Sequence, residues 1–307
     1  MLNLSSQKRS STSLIYKEYR GRFAPSPSGL LHFGSLIAAL ASFLDARSQQ
    51  GKWLVRIEDI DPPREQRGAS QAILKTLEAF GLWWDEQVLY QSKQTQIYLD
   101  ILQQLADKKL TYACQCTRAQ IKASGGVYQN TCRMLNLPHK HNALRIINQQ
   151  SINRFHDLIQ GKVQCNKDIA GEDFTLVRKD GLFAYQLAVV VDDIYQNINH
   201  VIRGCDLLEP TARQLSFFSL LAQTPPQYGH FPIAISTQGY KLSKQNKAPA
   251  INNQQPQPAL IAALKFLGQK PDTMLEYASV DELISWAIAH WSRDKIPKRR
   301  EIMIPKK

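Results

Sequence analysis

The stretch between residues 21 and 57 restricts the fold more than any other part of the sequence. Gly21-Arg-Phe-Ala-Pro25 reads as a short strand, and Pro25-Ser-Pro-Ser-Gly29 ends it, because two prolines and a glycine oppose helix. From Gly34 onward, Leu36, Ile37, Leu40, Phe43 and Leu44 recur on one helical face, Gly51 is placed to cap that helix, and residues 53–57 form a second strand. Strand, helix and strand within about forty residues make the βαβ unit of a parallel sheet. Ligands of such sheets bind beyond the carboxyl ends of the strands, so the turn after the first strand is a candidate site.

Helical stripes return at Ile73, Leu74, Leu77 and Phe80, closed by Gly81, and at Ile97, Tyr98, Ile101, Leu102 and Leu105. Residues 112–141 lose all periodicity and read as an inserted loop module rather than sheet or helix. Lys179-Asp-Gly181 reads as a hairpin turn between a strand at 174–178 and the apolar run 183–191. A strand at 200–203 and a helix bearing Leu215, Phe218 and Leu221 lead through Pro225-Pro226 into a loop that holds Lys241-Leu-Ser-Lys244. A Gln, Asn and Pro-rich linker follows at 245–258, then amphipathic helices near 260–267 and 280–289, and a basic end at 295–307. No internal repeat is visible.

The 307 residues carry 38 Lys and Arg against 26 Asp and Glu, a formal charge of +12 that fits a polyanionic partner such as RNA and implies salt-dependent binding. With 43% hydrophobic and 21% charged residues the chain reads as a folded soluble protein of about two domains, not as a disordered or coiled-coil one. There is no run of about 18 apolar residues, and the start is Ser-rich and basic without an apolar block, so neither a membrane span nor secretion is expected. Cys114, Cys116 and Cys132 crowd together while Cys165 and Cys205 stand apart. That distribution fits one metal site in a reducing compartment, the cytoplasm, better than a disulfide framework.

Two short patterns carry chemistry. In the turn Pro25-Ser-Pro-Ser-Gly-Leu-Leu-His-Phe-Gly-Ser35, a phosphate would meet the unpaired N–H groups of a helix start, with Gly34 allowing close approach and His32 able to donate. About two hundred residues later, Lys241 and Lys244 can fold over a triphosphate and stabilise charge that develops during phosphoryl chemistry. Alone, each pattern also fits an ordinary turn or a solvated loop. Together with Arg22-Phe-Ala-Pro-Ser-Pro-Ser-Gly29, Arg56-Ile-Glu-Asp-Ile-Asp61 and His200-Val-Ile-Arg-Gly204, they resemble the signatures of class I aminoacyl-tRNA synthetases, in the glutamyl branch, over residues 21–244.

The resemblance implies an α/β fold: a Rossmann-type parallel-sheet nucleotide-binding domain, with an inserted zinc-containing acceptor-binding module and a short helical C-terminal region. The expected divisions are a basic tail at 1–20, halves of the catalytic domain at 21–110 and 186–250, the insertion at 111–185, and the C-terminal region at 251–307. It further implies that Arg22, Phe23, Ala24, Pro25, Ser26 and Arg203 contact the carboxylates of L-glutamate, that Glu58 takes the ammonium, and that Tyr185 adds a hydroxyl. Glutamate carries two carboxylates and one ammonium, so two cationic forks and one anion suit it independently. Read without the family, Glu58 and Arg56 would form an ordinary ion pair. ATP, with Mg2+, falls to His32, Gly34, Ser35, Lys241 and Lys244, with His32 and Lys244 in the catalytic roles. Ser35 stands where the fuller motif has a second His, and Leu242 where Met is usual.

Three thiolates at Cys114, Cys116 and Cys132 need a fourth ligand for a closed, structural zinc site, and chemistry alone would choose His139 or His141. The resemblance implies Tyr128 instead. Only 63 residues follow Lys244, few for an anticodon-reading extension. The shortened members of the branch that this resembles imply a different acceptor, queuosine in the anticodon stem-loop of tRNA(Asp). One core accounts for the visible apolar stripes, so a monomer is expected. The competing expectations are charging of the 3′ end of tRNA(Glu), a nucleotidyltransferase that shares only the His-x-Gly turn, and a non-catalytic RNA-binding protein.

Overall fold

The computed structural model describes residues 18–241 and 249–304. Strand β1 (Arg20–Phe23), helix α1 (Phe33–Ser48) and strand β2 (Lys52–Ile57) form the expected βαβ unit, with β1 and β2 parallel and Phe23 opposite Val55. Helix α2 (Ala69–Ala79) leads to a short β3 (Leu89–Tyr90), parallel to β2. The side chains of Trp53, Leu54, Val55 and Ile57 are all buried, as a sheet covered on both faces requires. Helix α1 is more deeply enclosed than a single stripe implies: Ala39, Ala41 and Ala46 are buried alongside Leu36, Ile37, Leu40, Phe43 and Leu44.

Helix α3 (Thr95–Asp107) precedes a segment that contains β4 (Thr111–Cys114), α4 (Arg118–Ala123), β5 (Ala143–Ile146), β6 (Arg154–Asp157), β7 (Gly161–Gln164), α5 (Lys167–Gly171) and β8 (Thr175–Val177). Strands β4, β5 and β8 make an antiparallel sheet, and β6 and β7 a hairpin. Residues 112–141 are therefore not all loop, as expected from the sequence. Thr117 and Gln120 close a capping box on α4, and β4 is zipped to β5; each element is too short to leave a period.

The run 183–191 is also corrected. It belongs to helix α6 (Tyr185–Tyr195), and the hairpin at Gly181 (φ +85) closes through a single bridge between Val177 and Phe183. Leu187 to Val191 are buried on all sides, and a wholly apolar run does not distinguish strand from helix. Strand β9 (His200–Gly204), helix α7 (Leu208–Leu220), β10 (Gln227–Phe231) and β11 (Ile233–Ile235) follow. Strands β9 and β10 pair in parallel, and β9 lies beside β1, where the Asn199 N–H donates to the Arg20 carbonyl at 3.0 Å. The chain thus leaves β1 toward β2 on one side and returns on the other with β9, a topological switch point.

Helix α8 (Pro256–Phe266) starts inside the expected linker, with Pro256 in its first turn, and α9 (Val280–His290) opens with a Ser279–Glu282 capping box. The basic end supplies β12 (Glu301–Met303), parallel to β11. Gly81 caps α2 with φ +69, as expected, but the left-handed residue after α1 is Gln50 (φ +54). Gly51 is small for another reason: a Cβ there would lie 2.5 Å from Tyr19 Cβ. No helix of the described residues is long and apolar enough to cross a membrane.

Candidate active site

A cavity of about 650 Å³ opens at the switch point, beyond the carboxyl ends of β1 and β9. Arg22 through Ser26, His32, Gly34, Ser35, Glu58, Tyr185, Arg203 and Lys241 all border it. Residues separated by up to about two hundred positions are thus brought to one place. Lys244, with Leu242 and Ser243, lies outside the described residues.

Two guanidinium groups reach the cavity from different strands and are held in different ways. Arg22 on β1 is 5% exposed and donates from Nε and Nη2 to Asp193 at 3.0 and 3.3 Å. The same carboxylate accepts from Arg56 Nη2 at 2.7 Å, while Arg56 Nη1 donates to Gln196 at 3.0 Å. Burial disfavours the charge on Asp193, but Arg22 and Arg56 outweigh it and hold its pKa below the ordinary carboxylate value. The ion pair read from residues alone, Glu58 with Arg56, is replaced by this one with Asp193. Arg203 on β9 is held by uncharged groups: His230 Nε2 at 3.0 Å, and Thr211 Oγ1 and Gln214 Oε1 on α7 at 2.7 Å each. Its Nη1 is buried without a hydrogen-bond partner among the described residues. A buried donor left unmade is costly, and Arg203 itself borders the cavity.

Glu58 sits just past the end of β2, its backbone N–H bonded to the Pro25 carbonyl at 3.0 Å. Burial, only partly offset by Arg56 and Arg22, pushes its carboxyl up to about 7. Tyr185 opens α6, and burial raises its phenol above the usual range while Arg203 opposes the shift.

At the other end of the cavity His32 is the N-cap of α1. Its Nδ1 accepts from the Ser35 N–H at 3.3 Å, and Ser35 Oγ accepts from the His32 N–H at 3.4 Å, a reciprocal capping box. Ser35, which takes the place of a second imidazole, thus fixes the orientation of the first. Accepting at Nδ1 leaves the proton of the neutral ring on Nε2, a donor suited to a phosphate at a helix start. Lys241 pairs with Asp206 at the same rim.

A second cavity of about 780 Å³ shares Ser26, Glu58, Arg64 and Tyr185 with the first and extends past Asp61 and Arg178 to Cys116, Thr117 and Arg118. Beyond it lie the cysteines. The sulfurs of Cys114, Cys116 and Cys132 all fall within 4.8 Å of one another, Cys116 and Cys132 at 3.6 Å, a spacing that suits thiolates around one tetrahedral ion. No histidine joins this group among the described residues, which disfavours His139 and His141. The Tyr128 hydroxyl accepts from the Cys132 N–H at 2.8 Å within the same buried cluster, and Arg145 lies 3.8 Å over its ring. This donor set fits a zinc ion.

Sequence reasoning missed Asp193, His230, Asp157 and Asp206. Asp192-Asp193 closing an apolar run was a legible signal, since carboxylates in a buried run need cationic partners. Nothing marked His230 or Asp157.

A family model described as tRNA synthetases class I (E and Q), catalytic domain, matches residues 18–299. The glutamyl-Q tRNA(Asp) synthetase of Colwellia psychrerythraea is 66% identical, with 94% of this chain and 95% of that protein covered. The Escherichia coli protein of the same name is 50% identical, with 91% of each chain covered. Among solved structures, a glutamate tRNA ligase from Elizabethkingia meningosepticum, in complex with its amino acid, superposes with a TM-score of 0.76 at 26% identity, over 93% of this chain and 67% of that one.

Proposed function

The chain belongs to the class I tRNA synthetases of the glutamyl and glutaminyl branch, and from that premise we infer that it activates L-glutamate with ATP and transfers it to queuosine of tRNA(Asp). It is a ligase. The observation that carries the amino-acid half is the cavity itself, in which two buried arginines, one glutamate and a helix start face a single space. The acceptor rests on relatives that bear the glutamyl-Q name at 50–66% identity over more than nine-tenths of the chain.

In this reading Arg22 and Arg203 take the two carboxylates, Glu58 the ammonium, and Tyr185 and the turn from Phe23 to Ser26 close around them. The triphosphate lies against His32, Gly34 and Ser35, with Lys241 and Lys244 over it. Magnesium, when bound with the triphosphate, neutralises phosphate charge. The glutamate α-carboxylate attacks the α-phosphorus in line, pyrophosphate leaves, and glutamyl-adenylate forms. A carboxylate is already a competent nucleophile at neutral pH, so the side chains act by positioning and charge stabilisation rather than as a general base. The acceptor nucleoside enters through the second cavity, which Glu58 and Tyr185 border from the amino-acid side. The protein acts as a monomer in the cytoplasm, where its tRNA is found.

The deciding experiment offers labelled glutamate to tRNA(Asp) with and without queuosine and to tRNA(Glu). Label is expected only on the queuosine-containing tRNA(Asp); label on the terminal ribose of tRNA(Glu) would select the competing charging activity.

Cys114, Cys116, Tyr128 and Cys132 are the proposed holders of one structural zinc, which would brace a loop too poor in apolar residues to fold alone. Cys132→Ser is expected to remove zinc as measured by elemental analysis and to cut transfer to tRNA by about tenfold or more, with glutamate-dependent pyrophosphate exchange changed by less than about threefold. An equal loss of exchange would give the metal a role in activation instead.

A further inference from the structure

We propose that Asp157 and His230 are positioning residues for Arg203, which aim the guanidinium that receives a substrate carboxylate; the proposal rests on the glutamate reading of the cavity. Neither residue borders that cavity. His230, on β10, is fully buried between Asp157 Oδ2, 2.6 Å from its Nδ1, and Arg203 Nε, 3.0 Å from its Nε2. An arginine has only donors to offer, so Nε2 must accept, and the ring proton resides on Nδ1 and is given to Asp157. Burial pushes the His230 pKa down to about 4, which keeps the ring neutral around pH 7 and preserves that tautomer.

Asp157 cannot turn away. It stands at the tip of the β6–β7 hairpin, and its Oδ1 accepts from the N–H groups of Ile159, Gln160 and His230 at 2.9, 2.8 and 3.0 Å. The other faces of Arg203 are closed as well: Thr211 and Gln214 hold Nη2, and the Tyr228 ring lies 4.9 Å from the guanidinium carbon. Every constraint leaves Nη1 as the one nitrogen with no partner among the described residues. A planar guanidinium fixed at Nε and Nη2 has no freedom left, so the direction of Nη1 is set by a hydrogen-bond chain that begins in the inserted hairpin.

The test uses pyrophosphate exchange by the full chain. Asp157→Asn keeps shape, but its amide must now donate to Nδ1, which moves the ring proton to Nε2 and sets it against the Arg203 N–H. This variant is expected to raise the KM for glutamate by about tenfold or more, with the KM for ATP within about twofold. His230→Phe should act likewise, and His230→Gln should recover part of the loss, because a carboxamide can accept from Arg203 and donate to Asp157. If Asp157→Asn does not fold, the difference between the Gln and Phe variants decides. A glutamate KM unchanged in the variants, or one that rises in step with the ATP KM, overturns the proposal alone. Absence of glutamate-dependent exchange in the unsubstituted protein overturns the glutamate reading and this proposal together.

Discussion

Glu58→Gln is expected to lower kcat/KM for glutamate in pyrophosphate exchange by about 10²- to 10³-fold, the effect of ~3–4 kcal/mol when one partner of an enclosed charge pair is neutralised. The carboxylate borders the cavity, and in the proposed reading its partner is the substrate ammonium. Its pKa gives the loss a second signature. With burial raising the group to about 7, the ionised form that pairs with an ammonium is gained as pH rises through 7. The kcat/KM profile of the unsubstituted enzyme should therefore fall to about a tenth of its plateau near pH 6, since kcat/KM reports the free enzyme's titrations. The Gln variant should show no such inflection. A flat profile in the parent, measured from pH 6 to 8.5, would remove Glu58 from the ammonium site.

Asp193→Asn should destabilise the fold by about 3–5 kcal/mol, because it strips a shared counter-ion from two buried arginines. Arg22 and Arg56 are 5% and 0% exposed, and both rely on this carboxylate for their shortest ionic contacts. The folded pKa of Asp193 lies below its ordinary value of 3.8, so the contribution is fully present above 3.8 and is lost as pH falls through the folded value. Urea unfolding of the two proteins should accordingly show a constant gap from pH 8 to about pH 5 that narrows only in stronger acid. A gap under about 1 kcal/mol at pH 7 would mean that the arginines find other partners.

What the sequence disclosed follows from which interactions are local. The β1–α1–β2 unit was legible because the periodicities of Leu36 to Leu44 and of residues 53–57 are written in adjacent residues, and the Pro25 to Gly29 turn separates them. The apolar run 183–191, read only as the far side of a hairpin turn but helical from Tyr185 onward, shows the limit, since Leu187 to Val191 are enclosed from every side and carry no period. The site divides in the same manner. Arg22, Glu58 and Arg203 lie in recognisable motifs and Tyr185 was implied by the family resemblance, whereas the groups that orient the arginines come from distant elements: Asp193 lies 171 residues from Arg22, and His230 lies 27 from Arg203. Those partners are chosen by packing, which no short pattern records.

The cations around the cavity are not neutralised alike. Arg22 shares Asp193 and Lys241 meets Asp206, yet Arg203 is surrounded by a neutral imidazole, a hydroxyl, a carboxamide and the Leu207 carbonyl. The cavity is therefore electrically lopsided: its least compensated positive charge stands at the β9 wall, while Glu58, its carboxyl pushed up to about 7, gains negative charge past the end of β2 as pH rises through 7. A zwitterion that drifts in experiences a torque before it makes any contact, a carboxylate drawn toward Arg203 and the ammonium toward ionised Glu58.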